Sequence, residues 1–95
     1  MTAPLFPLGR VVATPGALSA LEEAGVDALG LLRRHAAGDW GEVPPEDRRE
    51  NVKSVKNGWR VLSSYPIGSE ADGRKLWVLT EADRSSTCLL LPEEY

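Results

Sequence analysis

Two short alternating runs near the C-terminal end constrain the fold more than any other feature. Lys75 to Glu81 and Ser86 to Leu91 each alternate, and Ala82-Asp83-Arg84-Ser85 between them has turn chemistry. A four-residue turn sets Glu81 against Ser86, Leu79 against Cys88 and Trp77 against Leu90. One face of this hairpin then carries Leu76, Val78, Thr80, Thr87, Leu89 and Leu91, nearly all apolar. Such a face has to be covered, so helices must lie on it. The other face carries Lys75, Trp77, Leu79, Glu81, Ser86, Cys88 and Leu90, a mixture that suits a binding surface. A slip of one residue would exchange the two faces.

The covering helices are legible from their ends. Thr14 is a good N-cap, Pro15 suits the first helical position and Gly25 the residue after the last. Ala17, Leu18, Leu21 and Ala24 form the apolar stripe between them. Asp27 caps a second helix that Gly38 stops, with Leu29, Leu32 and Ala36 as its core face and Leu31 and His35 on the flank. Pro44-Pro45 opens a third, running to Asn57-Gly58, with Glu46 and Asp47 early and Lys53 and Lys56 late, as the helix dipole favours. Its apolar residues are few, Val52 and Val55 with Trp59 just beyond, so it packs weakly and shows most of its circumference to water.

Two more strands complete the reading. Leu5 to Ala13 is extended, and Pro7 and Gly9 suit a sheet edge or a bulge. Trp59 to Tyr65 is rich in β-formers and ends at Pro66-Ile67-Gly68, followed by a polar loop, 68–74, around Asp72-Gly73. The expected fold is a single α+β domain over residues 1–95. It has an N-terminal strand at a sheet edge, three helices, then a three-stranded antiparallel meander with one face packed on the helices.

Composition narrows the function classes. Eleven Lys and Arg against fourteen Asp and Glu give a net charge of −3, so generic attraction to nucleic acid is not expected. The charge is uneven. Residues 1–44 hold three basic and five acidic groups, residues 45–75 seven and five, and residues 76–95 one and four. Only the middle third is net basic. Cys88 is the one cysteine, which rules out an internal disulfide and fits a reducing compartment. Met1 to Arg10 lacks the pattern of a signal peptide, and no apolar run approaches membrane-spanning length. A cytoplasmic protein without a membrane partner is the expectation. One Cys and one His do not make a tetrahedral zinc site, no phosphate-binding glycine motif occurs, and no cofactor is expected.

Several residues are candidates for chemistry or contact. His35, the only histidine, falls in the last turn of the second helix, with Asp39 four residues on to take its proton. It is either an acid–base group or a residue with a local hydrogen bond. Trp40, framed by Gly38 and Gly41, is either a lid on the core or a contact anchor. Arg48, Arg49, Lys53, Lys56 and Arg60, with Asn51, can hold phosphates or form a solvated helical face. Glu81, Asp83, Arg84 and Ser86, with Thr80 and Thr87 beside them, form an acid–base site with an anion clamp or a simple turn with a surface ion pair. Cys88, mid-strand, reads as an inert thiol.

Over most of its length the chain resembles a group of small bacterial proteins of plasmids and other mobile elements, some labelled restriction-related. The matching residues are Gly9 to Gly16 (GRVVATPG), Arg34-His35, Gly38 to Gly41 (GDWG), Trp77 to Arg84 (WVLTEADR) and Leu90 to Tyr95 (LLPEEY). The group has no settled activity, and the resemblance implies a setting in which defence, counter-defence and toxin functions are frequent. Residues 59–91 are also similar to the C-terminal sheet of microbial ribonucleases of the barnase–RelE type, through Trp77, Thr80, Asp83, Arg84 and Thr87. The barnase-like members place a histidine where this chain has Arg84. That resemblance implies Glu81 or His35 as base, His35 or Tyr65 as acid, and Arg84 with Arg60 or Lys75 on the phosphate.

Two functions follow as expectations. One is an interaction module for a protein partner, an accessory, defence or counter-defence factor, monomeric or homodimeric, with Trp40 and Trp77 as anchors. The other is a ribonuclease-like toxin or RNA-binding domain. The nuclease requires His35, Glu81 and Arg84 to share one cleft. The interaction module requires an exposed apolar patch or a dimer interface, with Arg84 tied into its turn.

Overall fold

The helices begin and end where their capping residues dictate. In the computed structural model, which describes residues 3–68 and 73–95, Thr14 accepts the Ala17 N–H at 3.0 Å and opens α1, Pro15–Ala24. Asp27 accepts the Leu29 N–H at 3.1 Å and opens α2, Ala28–Ala36. Helix α3, Pro45–Asn57, has no side-chain cap at its start and closes on Gly58. The expected polar loop at 68–74 lies partly outside the described residues, Asp72 included.

Four strands form one sheet in the order β1-β4-β3-β2: β1 Arg10–Ala13, β2 Val61–Pro66, β3 Lys75–Thr80 and β4 Ser86–Leu90. The α+β class and the three helices are as expected, and so is the register: Trp77 lies opposite Leu90 and Leu79 opposite Cys88. The sheet itself differs from a three-stranded antiparallel meander. It is mixed, because β1 adds to β4 in parallel, Arg10 beside Ser86 and Val12 beside Cys88. Hairpin signals speak only for strands adjacent in sequence, so nothing local announced this pairing. Strand β1 is also shorter than the expected 5–13. Gly9 has φ +65°, outside the strand region, and its Cα lies so close to the Arg84 and Ser85 carbonyls that no side chain fits.

The helices cover the expected face. Tyr65, Leu76 and Val78 are fully buried there, with Leu89 beside them, against Ala17, Ala20, Leu21, Leu31 and Leu32. Ala17, Leu21 and Ala24 on α1 and Leu32 and Ala36 on α2 face the core as expected, but each stripe differs at its edge. Leu18 and Leu29 are each 57% exposed, while Ala20, Leu31 and His35 point inward. Adjacent residues on a helix point about 100° apart, and spacing alone did not choose between neighbouring residues at the stripe's edge. Helix α3 is mostly exposed, as expected, but its buried residues are Asn51 and Ser54 rather than Val52.

Those two polar residues have a physical role at the sheet edge. Asn51 Nδ2 donates to the Leu62 carbonyl at 2.8 Å, and Asn51 Oδ1 accepts the Leu62 N–H at 3.2 Å. One side-chain amide thus stands in for a neighbouring strand. Two residues on, the Ser64 N–H donates to the Trp40 carbonyl and the Glu42 N–H to the Ser64 carbonyl. The outer edge of β2 is therefore closed by α3 and by the 40–42 segment, which removes it as a template for further pairing. The approach is so close at Gly41, φ +70°, that its Cα faces the Ser64 carbonyl.

Candidate functional site

His35 sits at the centre of a closed hydrogen-bond chain. The last turn of α2 aims its ring at the sheet, where Ser63, Thr80 and Thr87 occupy inward positions on three strands. His35 Nδ1 is 2.5 Å from Ser63 Oγ, and His35 Nε2 is 2.8 Å from Thr80 Oγ1. Thr80 Oγ1 is 2.7 Å from Thr87 Oγ1, and the Thr87 hydroxyl donates to the Leu8 carbonyl at 2.7 Å. That carbonyl can only accept, so the direction of every proton follows. Thr87 has used its proton on Leu8, so Thr80 donates to Thr87. Thr80 must then accept, so His35 carries its proton on Nε2. Nδ1 is left bare and accepts from Ser63. The chain is complete for a neutral imidazole, and a second ring proton would require the Ser63 hydroxyl to turn round and accept.

The electrostatics agree. All four side chains are fully buried. Burial, and secondly the Arg84 charge, lower the His35 pKa from 6.5 to about 4. Phe6 lies beside both groups, its ring edge-on to the imidazole at 5.3 Å and beneath the Arg84 guanidinium at 5.2 Å.

Of the residues expected to form a nuclease site, His35 and Arg84 flank the Phe6 ring, and Tyr65, Glu81 and Arg60 are engaged with partners of their own. Tyr65 is buried, its hydroxyl donates to the Asp39 carbonyl at 2.6 Å, and burial pushes its pKa up to about 12. Glu81 pairs at the surface with Arg60, 3.0 Å apart. Arg84 donates to the carbonyls of Trp59 at 2.6 Å, Ser54 at 2.8 Å and Glu81 at 3.1 Å. Its guanidinium so caps the C-terminal end of α3 and ties it to the β3–β4 turn, where a cation suits the helix dipole. Arg84→Ala is expected to destabilise the fold by about 2–3 kcal/mol, because the carbonyls lose their donors, and Arg84→Lys to recover little of it. A loss below roughly 0.5 kcal/mol in urea denaturation would show the guanidinium to be dispensable.

Other candidates also turn out to be held by local partners. Asp39 does not meet His35. It pairs with Arg34 at 2.7 Å, and that guanidinium holds the carboxyl below its usual range. Trp40 is a core lid, buried with Phe6, Val43 and Val61, and its Nε1 has no hydrogen-bond partner among the described residues. Asp83 accepts the Ser85 N–H within the turn. Of the basic stretch on α3, Arg48 reaches the Gly41 carbonyl and Lys53 lies 4.0 Å from Glu50. Asn51 is occupied by β2, so it is not free to hold a phosphate. Among the described residues, no three His, Cys, Asp or Glu side chains are grouped to hold a metal ion, and no helix is long and apolar enough to cross a membrane.

What stays open is the second face of the sheet. Its middle row runs Leu62, Leu79, Cys88, Val12 across all four strands, and the next row runs Ser64, Trp77, Leu90. Trp77, Leu62 and Cys88 are partly exposed, and Val12 is 41% exposed. Tyr95 reaches this face from the 3-10 turn Pro92–Glu94, its ring edge-on to Trp77 at 5.6 Å and its hydroxyl 3.4 Å from Arg60. Arg60 and Glu81, Arg10 and Ser86 mark one end of the face, and Lys75 the other. At the α3 side it runs into a groove of about 300 Å³ lined by Asp47, Glu50, Trp59 and Leu62. Burial and the Glu94 and Glu81 carboxylates raise the Cys88 pKa, so the thiol stays protonated.

Sequence reasoning placed Trp77, Leu79 and Cys88 on this face and missed Val12, Leu62 and Tyr95. It also missed Ser63 as the partner of His35. A signal existed: Thr80 and Thr87 lie opposite each other on an otherwise apolar face, and paired hydroxyls there need a polar companion. Comparison with family models, with curated proteins and with solved structures finds no match for this chain.

Proposed function

We propose that this protein is an interaction module that binds a protein partner through the open face of its sheet. The observation that carries the reading is the contrast between the two faces. On the helix side every polar group of the His35 chain is closed to solvent and engaged. On the open side Val12, Leu62, Trp77, Cys88 and Tyr95 meet water around a buried Leu79–Leu90 centre. Aromatic rings around an apolar centre, rimmed by the Arg60–Glu81 pair, have the layout of a protein contact surface. Arg84, fastened to three backbone carbonyls, also fits this reading better than an anion clamp. A cytoplasmic role in a mobile-element setting, as a defence or counter-defence factor, is the context we attach to it.

Photo-crosslinking tests this directly. A photoreactive residue at position 62 or 77 is expected to trap a discrete protein from bacterial extract, and one at position 29 or 52, on exposed helix, is not. Trp77→Ala should weaken the trapped complex on the order of tenfold or more while leaving the fold intact. RNA cleavage by the wild type that vanishes in a folded Arg84→Lys variant would overturn the reading in favour of the nuclease.

A further inference from the structure

Strand β1 is the one edge of the sheet that the fold leaves uncovered among the described residues. The far edge, β2, is closed by Asn51 and by the 40–42 segment. On β1 the Arg10 and Thr14 N–H groups donate to the Ser85 and Leu89 carbonyls of the β4 side. In a parallel ladder alternate residues turn their backbone groups to opposite sides. Val11 and Ala13 therefore turn their N–H and C=O groups away from β4, and neither finds a partner among the described residues. Val11 is 45% and Val12 41% exposed. An edge of this kind selects an extended strand.

We propose that this edge pairs with β1 of a second copy, antiparallel and with Val12 on the twofold axis, joining two sheets into one. The register follows from the outward groups: Val11 exchanges hydrogen bonds with Ala13 of the other copy, and Ala13 with its Val11. Charge then decides between a second copy and an unrelated strand. In this register Arg10 lies opposite Thr14 of the other copy. The Thr14 hydroxyl donates to Glu94 at 2.6 Å, and the Leu91 N–H holds the same carboxylate at 2.8 Å. Arg10, exposed and without an ion pair among the described residues, so comes to the Glu94 carboxylate across the axis, and does so twice by symmetry. Arg10, Val12 and Thr14 all point to the open side of the sheet, so pairing makes the two open faces continuous.

Val11→Pro tests the pairing without touching the intramolecular ladder, because the N–H it removes points outward. Sedimentation equilibrium should show a reversible wild-type dimer, and Val11→Pro should raise its dissociation constant at least about tenfold. Arg10→Glu should weaken it comparably, and adding Glu94→Arg should restore it to within roughly threefold. The register has its own readout. Val12 pairs with Val12 across the axis at a non-hydrogen-bonded position, where the Cα separation permits a disulfide. A Val12→Cys, Cys88→Ser chain is expected to form a covalent dimer on mild oxidation, with Cys88 removed because it neighbours position 12 within the same copy. A chain that stays monomeric at about 0.5 mM, well above the range for a specific interface, overturns the proposal. So does a dimer that Val11→Pro leaves unchanged and position 12 fails to cross-link.

Discussion

Acidification from about pH 7 to about pH 4 is expected to lower the unfolding free energy by roughly 3 kcal/mol through His35 alone. The native imidazole is neutral, with its pKa lowered from 6.5 to about 4, whereas the unfolded chain titrates at the ordinary value. Between those two values the unfolded state binds a proton that the native state refuses. Stability is therefore complete above about pH 6.5, falls as the pH drops through this window, and levels off below the native pKa. The cause is geometric as well as electrostatic. A second ring proton on Nδ1 would make the Ser63 hydroxyl turn from donor to acceptor, and a guanidinium, rather than a carboxylate to stabilise the charge, lies nearby.

Urea denaturation at several pH values measures this, and His35→Gln isolates it. The variant is expected to be less stable at pH 7 but nearly flat through the window, since it cannot titrate. Asp39, Asp83 and Glu94, all with lowered pKa values, lose their contribution at lower pH and in both proteins alike. His35→Ala is the severe version. It removes a fully buried ring and leaves the Ser63 and Thr80 hydroxyls short of a partner, for about 3–5 kcal/mol in total. That is a large part of the stability of a domain this size. A His35 ring resonance that titrates near 6.5 would sink the whole account.

Gly41→Ala is expected to be nearly as damaging, on the order of 3 kcal/mol or more. Its φ of +70° disfavours a side chain, but that is the smaller part. The new Cβ would run into the Ser64 carbonyl and come within 2.7 Å of Tyr65 Cδ1. Neither neighbour can retreat: one is the strand backbone and the other a fully buried ring. The 40–42 segment would have to leave β2, taking Trp40 from the core. Gly25 provides the comparison. It has a similar φ of +66° and nothing within 4 Å of an added Cβ. Gly25→Ala should cost only the left-handed backbone term, about 1–2 kcal/mol. Thermal unfolding should separate the two by 10 °C or so, and equal losses would mean that backbone conformation, not close approach, governs position 41.

The sequence alone was enough for the ends of the helices and for the last hairpin. Thr14 and Asp27 cap α1 and α2, Gly25 and Gly58 end α1 and α3, and the 82–85 turn sets the register of β3 on β4. These are interactions over a few residues, and composition at those positions determines them. The open face was legible for the same reason, because a known register sorts Trp77, Leu79 and Cys88 from Leu76, Val78 and Leu89. Tertiary structure decided what depends on distant partners. Which groups His35 meets turned on Ser63 and Thr80, 28 and 45 residues away. That Arg84 reaches the end of α3 turned on Ser54, 30 residues away. The parallel seat of β1 on β4 has no local signal, since its hydrogen bonds repay a long loop closure rather than a turn. In each case the side chain had several partners within its chemistry, and only the packed fold determined which one it meets.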